Sequence, residues 1–100
     1  MRVSAFVPDL MDRSKLARIG GDVAVDVVGS AAALDGGADV VVVDLGRPAA
    51  LDAVRALREA GSTARIVGFG SHVEREVLAA AKAAGCDRVL ARSAFFADVG

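Results

Sequence analysis

A single carboxylate, Asp44, occupies the position in the sequence that is best suited to chemistry. It follows four consecutive valines, Val40 to Val43, and a proline stands four residues after it. An unbroken β-branched run favours a strand that is covered on both faces, as in a parallel sheet. Ligands and reacting groups of open α/β sheets gather outside the carboxyl ends of the strands. Asp44 is therefore the first candidate for a reacting or binding group.

Other reactive side chains are scarce. The sequence contains one cysteine, Cys86, and one histidine, His72, which offer neither an internal disulfide nor a set of zinc ligands. We interpret Cys86 as a small core residue and His72 as a surface residue at the start of a helix. Because no second histidine or activated cysteine is present, no catalytic triad can be assembled, and we do not expect an enzyme.

Composition is typical of one small α/β domain. The chain has 100 residues, a net charge of −1 and 54% hydrophobic residues, which predicts a single domain over residues 1–100. No stretch reaches the roughly 20 apolar residues of a membrane span. Acidic and basic residues are interleaved, which argues against direct binding of nucleic acid. The N-terminus lacks a secretory pattern, so the expected location is the cytoplasm.

Apolar runs alternate with helical patterns and glycine-marked breaks, as in repeated βα units. We predict a five-stranded parallel sheet between two helical layers, because right-handed crossovers leave few other topologies. The predicted strands are Arg2–Val7, Asp22–Val28, Asp39–Leu45, Ala64–Phe69 and Asp87–Ala91. The predicted helices are Asp9–Ile19, Ser30–Leu34, Pro48–Ala60, His72–Ala84 and Ser93–Val99.

The two long helices near the middle of the chain carry the clearest end signals. Pro48 suits a first helical position, and Gly61 follows as a C-terminal stop. Ser71 and Glu74 fit a capping box at the start of the next helix, and Gly85 ends it. The helices around Ser30 and after Ser93 should be much shorter.

In this order of elements, the chain resembles the receiver domain of bacterial response regulators, a flavodoxin-like fold with strand order 2-1-3-4-5. The likeness covers nearly the whole chain. It is sharpest over Asp39 to Pro48, since receivers place the phospho-accepting aspartate at a strand end and a proline four residues later. It continues from Gly85 to Arg92, which looks like the family's approach to its last strand and the cationic residue at its end. The resemblance implies two-component signalling with Asp44 as the candidate phospho-acceptor.

The acidic part of the receiver site is depleted in this sequence. Receivers have two acidic residues after the first strand, which hold Mg²⁺ together with the phospho-accepting aspartate. This chain has Val7-Pro8-Asp9, so at most one of that pair is present, displaced by one residue, and Asp12 lies a turn further along the helix. Since Mg²⁺ can be held by one or two carboxylates plus phosphate oxygens, the resemblance still implies a weak site of Asp9 and Asp44.

The residues that contact the phosphoryl group in receivers are also replaced in this sequence. Gly70 stands where the family has a serine or threonine, and the adjacent Ser71 is assigned to the helix cap. Arg92 replaces the family's lysine and precedes Ser93 rather than proline. A guanidinium can clamp a carboxylate, so we expect an ion pair between Arg92 and Asp44 that occupies the nucleophile. The alternative for Arg92 is a solvated position at the start of the last helix.

Three functions remain open at this point. The leading hypothesis is a pseudo-receiver that binds a protein partner (a signalling kinase, an output domain or a second copy of itself) with little or no phosphotransfer. The second is a genuine phospho-accepting receiver that uses Asp44. The third is a nucleotide or small-molecule domain that uses the loop from Gly68 to Ser71 at a helix N-terminus, although this loop lacks the dinucleotide fingerprint.

The C-terminal segment suggests self-association. It is shorter than the final helix of a receiver, yet it contains Phe95, Phe96 and Val99. Burial of a Phe or Val side chain is worth roughly 1.5–3 kcal/mol. We therefore predict a two-fold homodimer that covers these three side chains. The alternative is a monomer in which Phe95 and Phe96 fold inward against the first strand.

Overall fold

Five parallel strands form one sheet in the order β2-β1-β3-β4-β5, as the sequence predicts. The computed structural model describes residues 1–16, 23–47, 49–70 and 75–99, with side chains up to Phe95 in the last range. The strands are β1 (Arg2–Phe6), β2 (Ala24–Val27), β3 (Val40–Asp44), β4 (Arg65–Gly70) and β5 (Arg88–Ala91).

Helices cover both faces of the sheet. The helices are α1 (Leu10–Leu16), α2 (Ala50–Glu59), α3 (Arg75–Ala84) and α4 (Arg92–Val99). Residues from α1 and α4 pack on one face of the sheet, and residues from α2 and α3 pack on the other. No described helix is long and apolar enough to cross a membrane.

The valine run forms the centre of the sheet because its side chains fill both faces. Val41 and Val43 enter the α2/α3 side of the core, whereas Val42 enters the α1/α4 side. Asp44 continues this alternation, and it lies beside Phe69 of β4 in the strand register. The sheet therefore directs the Asp44 side chain to the face that α1 and α4 cover.

The crossover from β2 to β3 contains a short 3₁₀ turn, Ala31–Ala33, in the place of the predicted helix. The segment is short and rich in small residues, so it buries only Ala31 and Leu34. As a result, Ala24 and Asp26 of the edge strand β2 are exposed to solvent.

Cys86 is buried, which confirms its predicted place in the core. Burial raises the pKa of its thiol to about 11. Gly61 and Gly85 end α2 and α3 with φ values of 90° and 126°, a region that non-glycine residues rarely adopt. The predicted capping box of Ser71 and Glu74 lies outside the described residues, as does His72.

A single arginine, Arg58, ties together the amino ends of β4 and β5. Its guanidinium donates to three backbone carbonyls and to one carboxylate, at distances of 2.8–3.0 Å. The same carboxylate accepts the backbone N–H of Ile66 at 2.8 Å. These polar contacts replace hydration that the strand ends lose on folding. The acceptors are Ser62 O, Ala64 O, Gly85 O and Asp87 Oδ2.

Candidate functional site

Asp44 lies at the carboxyl end of the central strand β3 and is only 1% exposed. Its Oδ1 accepts the backbone N–H of Gly46 at 2.9 Å. Its Oδ2 lies 3.6 Å from Arg47 Nε and 3.6 Å from Arg92 Nη2. A buried carboxylate is costly without partners, and here both oxygens have one.

Arg92, the first residue of α4, forms the predicted ion pair with Asp44, but its closer partner is Asp12. Arg92 Nε donates to Asp12 Oδ2 at 3.0 Å. The guanidinium also lies over the ring of Phe69, 5.5 Å from its centroid, within the range of a cation–π contact. Arg92 therefore connects α1, β3 and β4 to the start of α4.

Asp12 is the residue of this site whose role the sequence analysis missed. It is 3% exposed and lies on α1, one turn before the buried Leu16. The available signal was the i, i+4 spacing of these two residues, which places Asp12 on the buried face of the helix. A carboxylate in that position needs a cation, and Arg92 supplies it.

Asp9 serves mainly to begin α1. Its Oδ1 accepts the backbone N–H groups of Met11 at 2.8 Å and Asp12 at 3.3 Å, the pattern of an N-cap. These two hydrogen bonds are the main reason that the pKa of Asp9 lies below its usual value, and the charges of Arg92 and Arg47 add to the effect. The neighbouring Leu10 and Met11 are largely exposed.

The carboxylates in this arrangement do not fit a Mg²⁺ site of Asp9 and Asp44. Asp9 is engaged in the cap, and the Oδ2 atoms of Asp12 and Asp44 both face the Arg92 guanidinium. Within the described ranges, no three His, Cys, Asp or Glu side chains form a group that could hold a metal ion. The two carboxylates Asp12 and Asp44 face two guanidiniums, Arg92 and Arg47, so the charges of the cluster balance without a metal.

Of the two glycines of the fourth strand, Gly68 has a packing role. Gly68 is buried, and a Cβ there would approach Leu45 Cδ1 to 2.8 Å. Gly70 is the buried last residue of β4, so no hydroxyl is present at the position where receivers have one. Ser71 lies outside the described residues.

Phe95, which we expected at a dimer interface, is buried within the chain. Its side chain is 7% exposed. Its ring stacks on Phe69 with centroids 5.0 Å apart and planes 8° apart. The α1/α4 side of the core buries this ring within one chain, so Phe95 is turned inward as in the alternative, but its stacking partner lies on β4 and not on the first strand. The side chains of Phe96 and Val99 lie outside the described part of the chain, and self-association itself stays a prediction.

No protein-family model matches the sequence, and no curated protein matches it. Solved structures do match. A response regulator receiver protein from Pseudoalteromonas atlantica is 12% identical, covers 99% of this chain and 93% of its own, and superimposes with a TM-score of 0.81. The chain has the receiver fold of response regulators.

Two further structures show how widely proteins with this receiver fold differ. A LuxR-family two-component response regulator from Aurantimonas sp. SI85-9A1 is 23% identical over 97% of this chain and 77% of its own, with a TM-score of 0.75. A putative pilus assembly protein from Burkholderia thailandensis E264 is 20% identical over 93% of this chain and 86% of its own, also with a TM-score of 0.75. At these identities the similarity establishes the fold, and the activity must be argued from the site.

Proposed function

We propose that this chain is a pseudo-receiver, a signalling domain that acts by binding another protein and transfers little or no phosphate. The observation that carries the proposal is the state of Asp44. The residue has the position of a phospho-acceptor in the receiver fold, but its carboxylate is buried and bound on both oxygens.

Phosphotransfer requires a carboxylate oxygen of Asp44 to attack phosphorus while positive charge neutralises the moving group. The Oδ2 atom faces Arg92 and Arg47, and Oδ1 accepts from Gly46. A phosphoryl donor would have to displace these partners and bury its own charge. Once formed, the phosphoryl group would meet Gly70 where a receiver offers a hydroxyl.

The test is exposure of the purified protein to acetyl phosphate and Mg²⁺, with intact-mass spectrometry as the readout. We expect no mass increase of one phosphoryl group in the wild type, and none in Asp44→Asn. A phospho-accepting response regulator treated in parallel shows that the donor is active. A hydroxylamine-sensitive phosphoryl group on the wild type that Asp44→Asn abolishes would refute the proposal and establish a genuine receiver.

The independence of assembly from phosphorylation gives a second readout. A domain that does not use phosphorylation should keep the same molar mass in solution with and without acetyl phosphate. Light scattering on the two samples measures this directly. A change of mass on addition of the donor, absent in Asp44→Asn, would show that Asp44 controls assembly chemically.

A further inference from the structure

We infer that the Arg92 guanidinium is a built-in cation that takes the place of a divalent metal ion between Asp12 and Asp44. The inference concerns the same site as the proposed function. It addresses the source of positive charge there, and it does not depend on which protein the domain binds.

The geometry of the three side chains supports it. One guanidinium faces two carboxylates, with Nε 3.0 Å from Asp12 Oδ2 and Nη2 3.6 Å from Asp44 Oδ2. Both carboxylates are almost completely buried, whereas the Arg92 side chain is 33% exposed. Two buried negative charges therefore converge on one positive group that enters from the edge of the sheet.

The position of Arg92 is set by more than these ion pairs. Its guanidinium lies over Phe69, and Phe69 stacks on Phe95 of the same helix. The cation is thus attached to α4 and held against the sheet by two aromatic contacts. A metal ion can dissociate, but this charge cannot leave the folded protein.

Removal of the Arg92 guanidinium should leave two carboxylates without the positive charge that lies between them. Asp12 and Asp44 would then be buried like charges, with Arg47 as the remaining nearby cation of Asp44. Oxygen-rich carboxylate clusters bind hard divalent cations such as Mg²⁺ and Mn²⁺. Replacement of Arg92 by an apolar residue of similar length should therefore create a divalent-cation site that the wild type lacks.

The experiment compares the wild type, Arg92→Met, the double variant Arg92→Met/Asp12→Asn, and Arg47→Met. Arg47→Met is the matched control, because it removes a cation beside Asp44 and leaves Arg92 in place. Binding of Mn²⁺ is followed by the loss of the free-ion signal in electron paramagnetic resonance. Urea unfolding is followed by far-ultraviolet circular dichroism with EDTA or with Mg²⁺, because the chain has no Trp or Tyr to report by fluorescence.

We expect saturable Mn²⁺ binding by Arg92→Met alone, with a dissociation constant on the order of 10⁻³ M, as for weak oxygen-ligand sites. At ten times that concentration, Mg²⁺ of similar affinity should raise the folded-to-unfolded ratio of this variant about 11-fold. The wild type, Arg47→Met and the double variant should show neither effect.

Two results would overturn the inference. One is a gain in stability of the wild type with Mg²⁺ that equals the gain of Arg92→Met, since a metal would then bind beside Arg92. The other is an absence of any cation effect on both Arg92→Met and the smaller change Arg92→Gln, whether these variants are folded or unfolded in EDTA. Phosphorylation of wild-type Asp44 by acetyl phosphate would refute the proposed function separately, because that assay does not measure binding of the metal alone.

Discussion

Neutralisation of Asp12 tests whether burial makes its ion pair with Arg92 important to the fold. The chain offers an unusually close control, because Asp52 and Arg55 form a second pair with the same N–O distance of 3.0 Å. That pair is exposed, with 84% of Asp52 and 50% of Arg55 accessible to solvent. Exposed ion pairs contribute about 0.2–1 kcal/mol to stability, so Asp52→Asn should lower the free energy of unfolding by less than about 1 kcal/mol.

Asp12→Asn should cost more. Breaking a fully buried pair costs about 3–5 kcal/mol, but two features reduce that figure here. Arg92 is one-third exposed, and it keeps Asp44 at 3.6 Å as a second partner. We therefore expect a loss of about 1.5–3 kcal/mol in the free energy of unfolding. In a domain of this size each kcal/mol corresponds to about 4–8 °C in melting temperature.

Thermal and urea unfolding of both variants, followed by circular dichroism, measures the difference. The effect of Asp52→Asn should shrink in high salt, whereas the effect of Asp12→Asn should persist because its pair is shielded from solvent ions. Equal losses in the two variants, or a stabilised Asp12→Asn, would refute the idea that the buried cluster needs both carboxylates.

Three further outcomes are expected. Arg58→Ala should lower the free energy of unfolding by about 2–4 kcal/mol, because each lost hydrogen bond of a charged donor contributes about 1 kcal/mol or more. Arg55→Ala on the same helix should lower it by less than about 1 kcal/mol. Equal urea midpoints for the two variants would contradict this. Phe95→Ala should lower the free energy of unfolding by about 3–5 kcal/mol without a specific effect on assembly. If the wild type has the molar mass of a dimer in light scattering, Phe96→Ser should reduce that mass by half. A wild-type mass near 10.1 kDa at micromolar concentration would reject the dimer. Burial raises the pKa of Cys86 from 9.0 to about 11. At pH 8 its thiol should therefore react with a thiol reagent at least about 100-fold more slowly in the folded protein than in urea. A reaction rate of the folded protein close to that in urea would disprove its burial.

The sheet was predictable because its signals are local. The valine run before Asp44 and the glycines after α2 and α3 define elements from neighbouring residues alone. The ion pair of Arg92 with Asp44 was predicted from the resemblance to receivers, because Arg92 stands where the family has the lysine that approaches the phospho-accepting aspartate, and a guanidinium can clamp a carboxylate.

The rest of the site depends on contacts between distant parts of the chain. Asp12 and Arg92 are 80 positions apart, and the pattern of α1 does not show which cation its buried carboxylate will meet. Phe95 was assigned to an interface because a short helix suggested uncovered apolar surface. Its actual partner, Phe69, lies on β4, and the stacking of the two rings depends on how α4 leaves β5.

The two ends of the sheet are held by different contacts, and they should open independently of each other. At the amino ends of β4 and β5, Arg58 binds mainly backbone carbonyls. At the carboxyl ends, Arg92 contacts the side chains of Asp12, Asp44 and Phe69. Amide hydrogen exchange reports such local opening. Asp12→Asn should therefore accelerate exchange at the start of α4 while the amides around Ile66 stay protected, and Arg58→Ala should have the opposite pattern, so one end of the sheet can fray while the other stays closed.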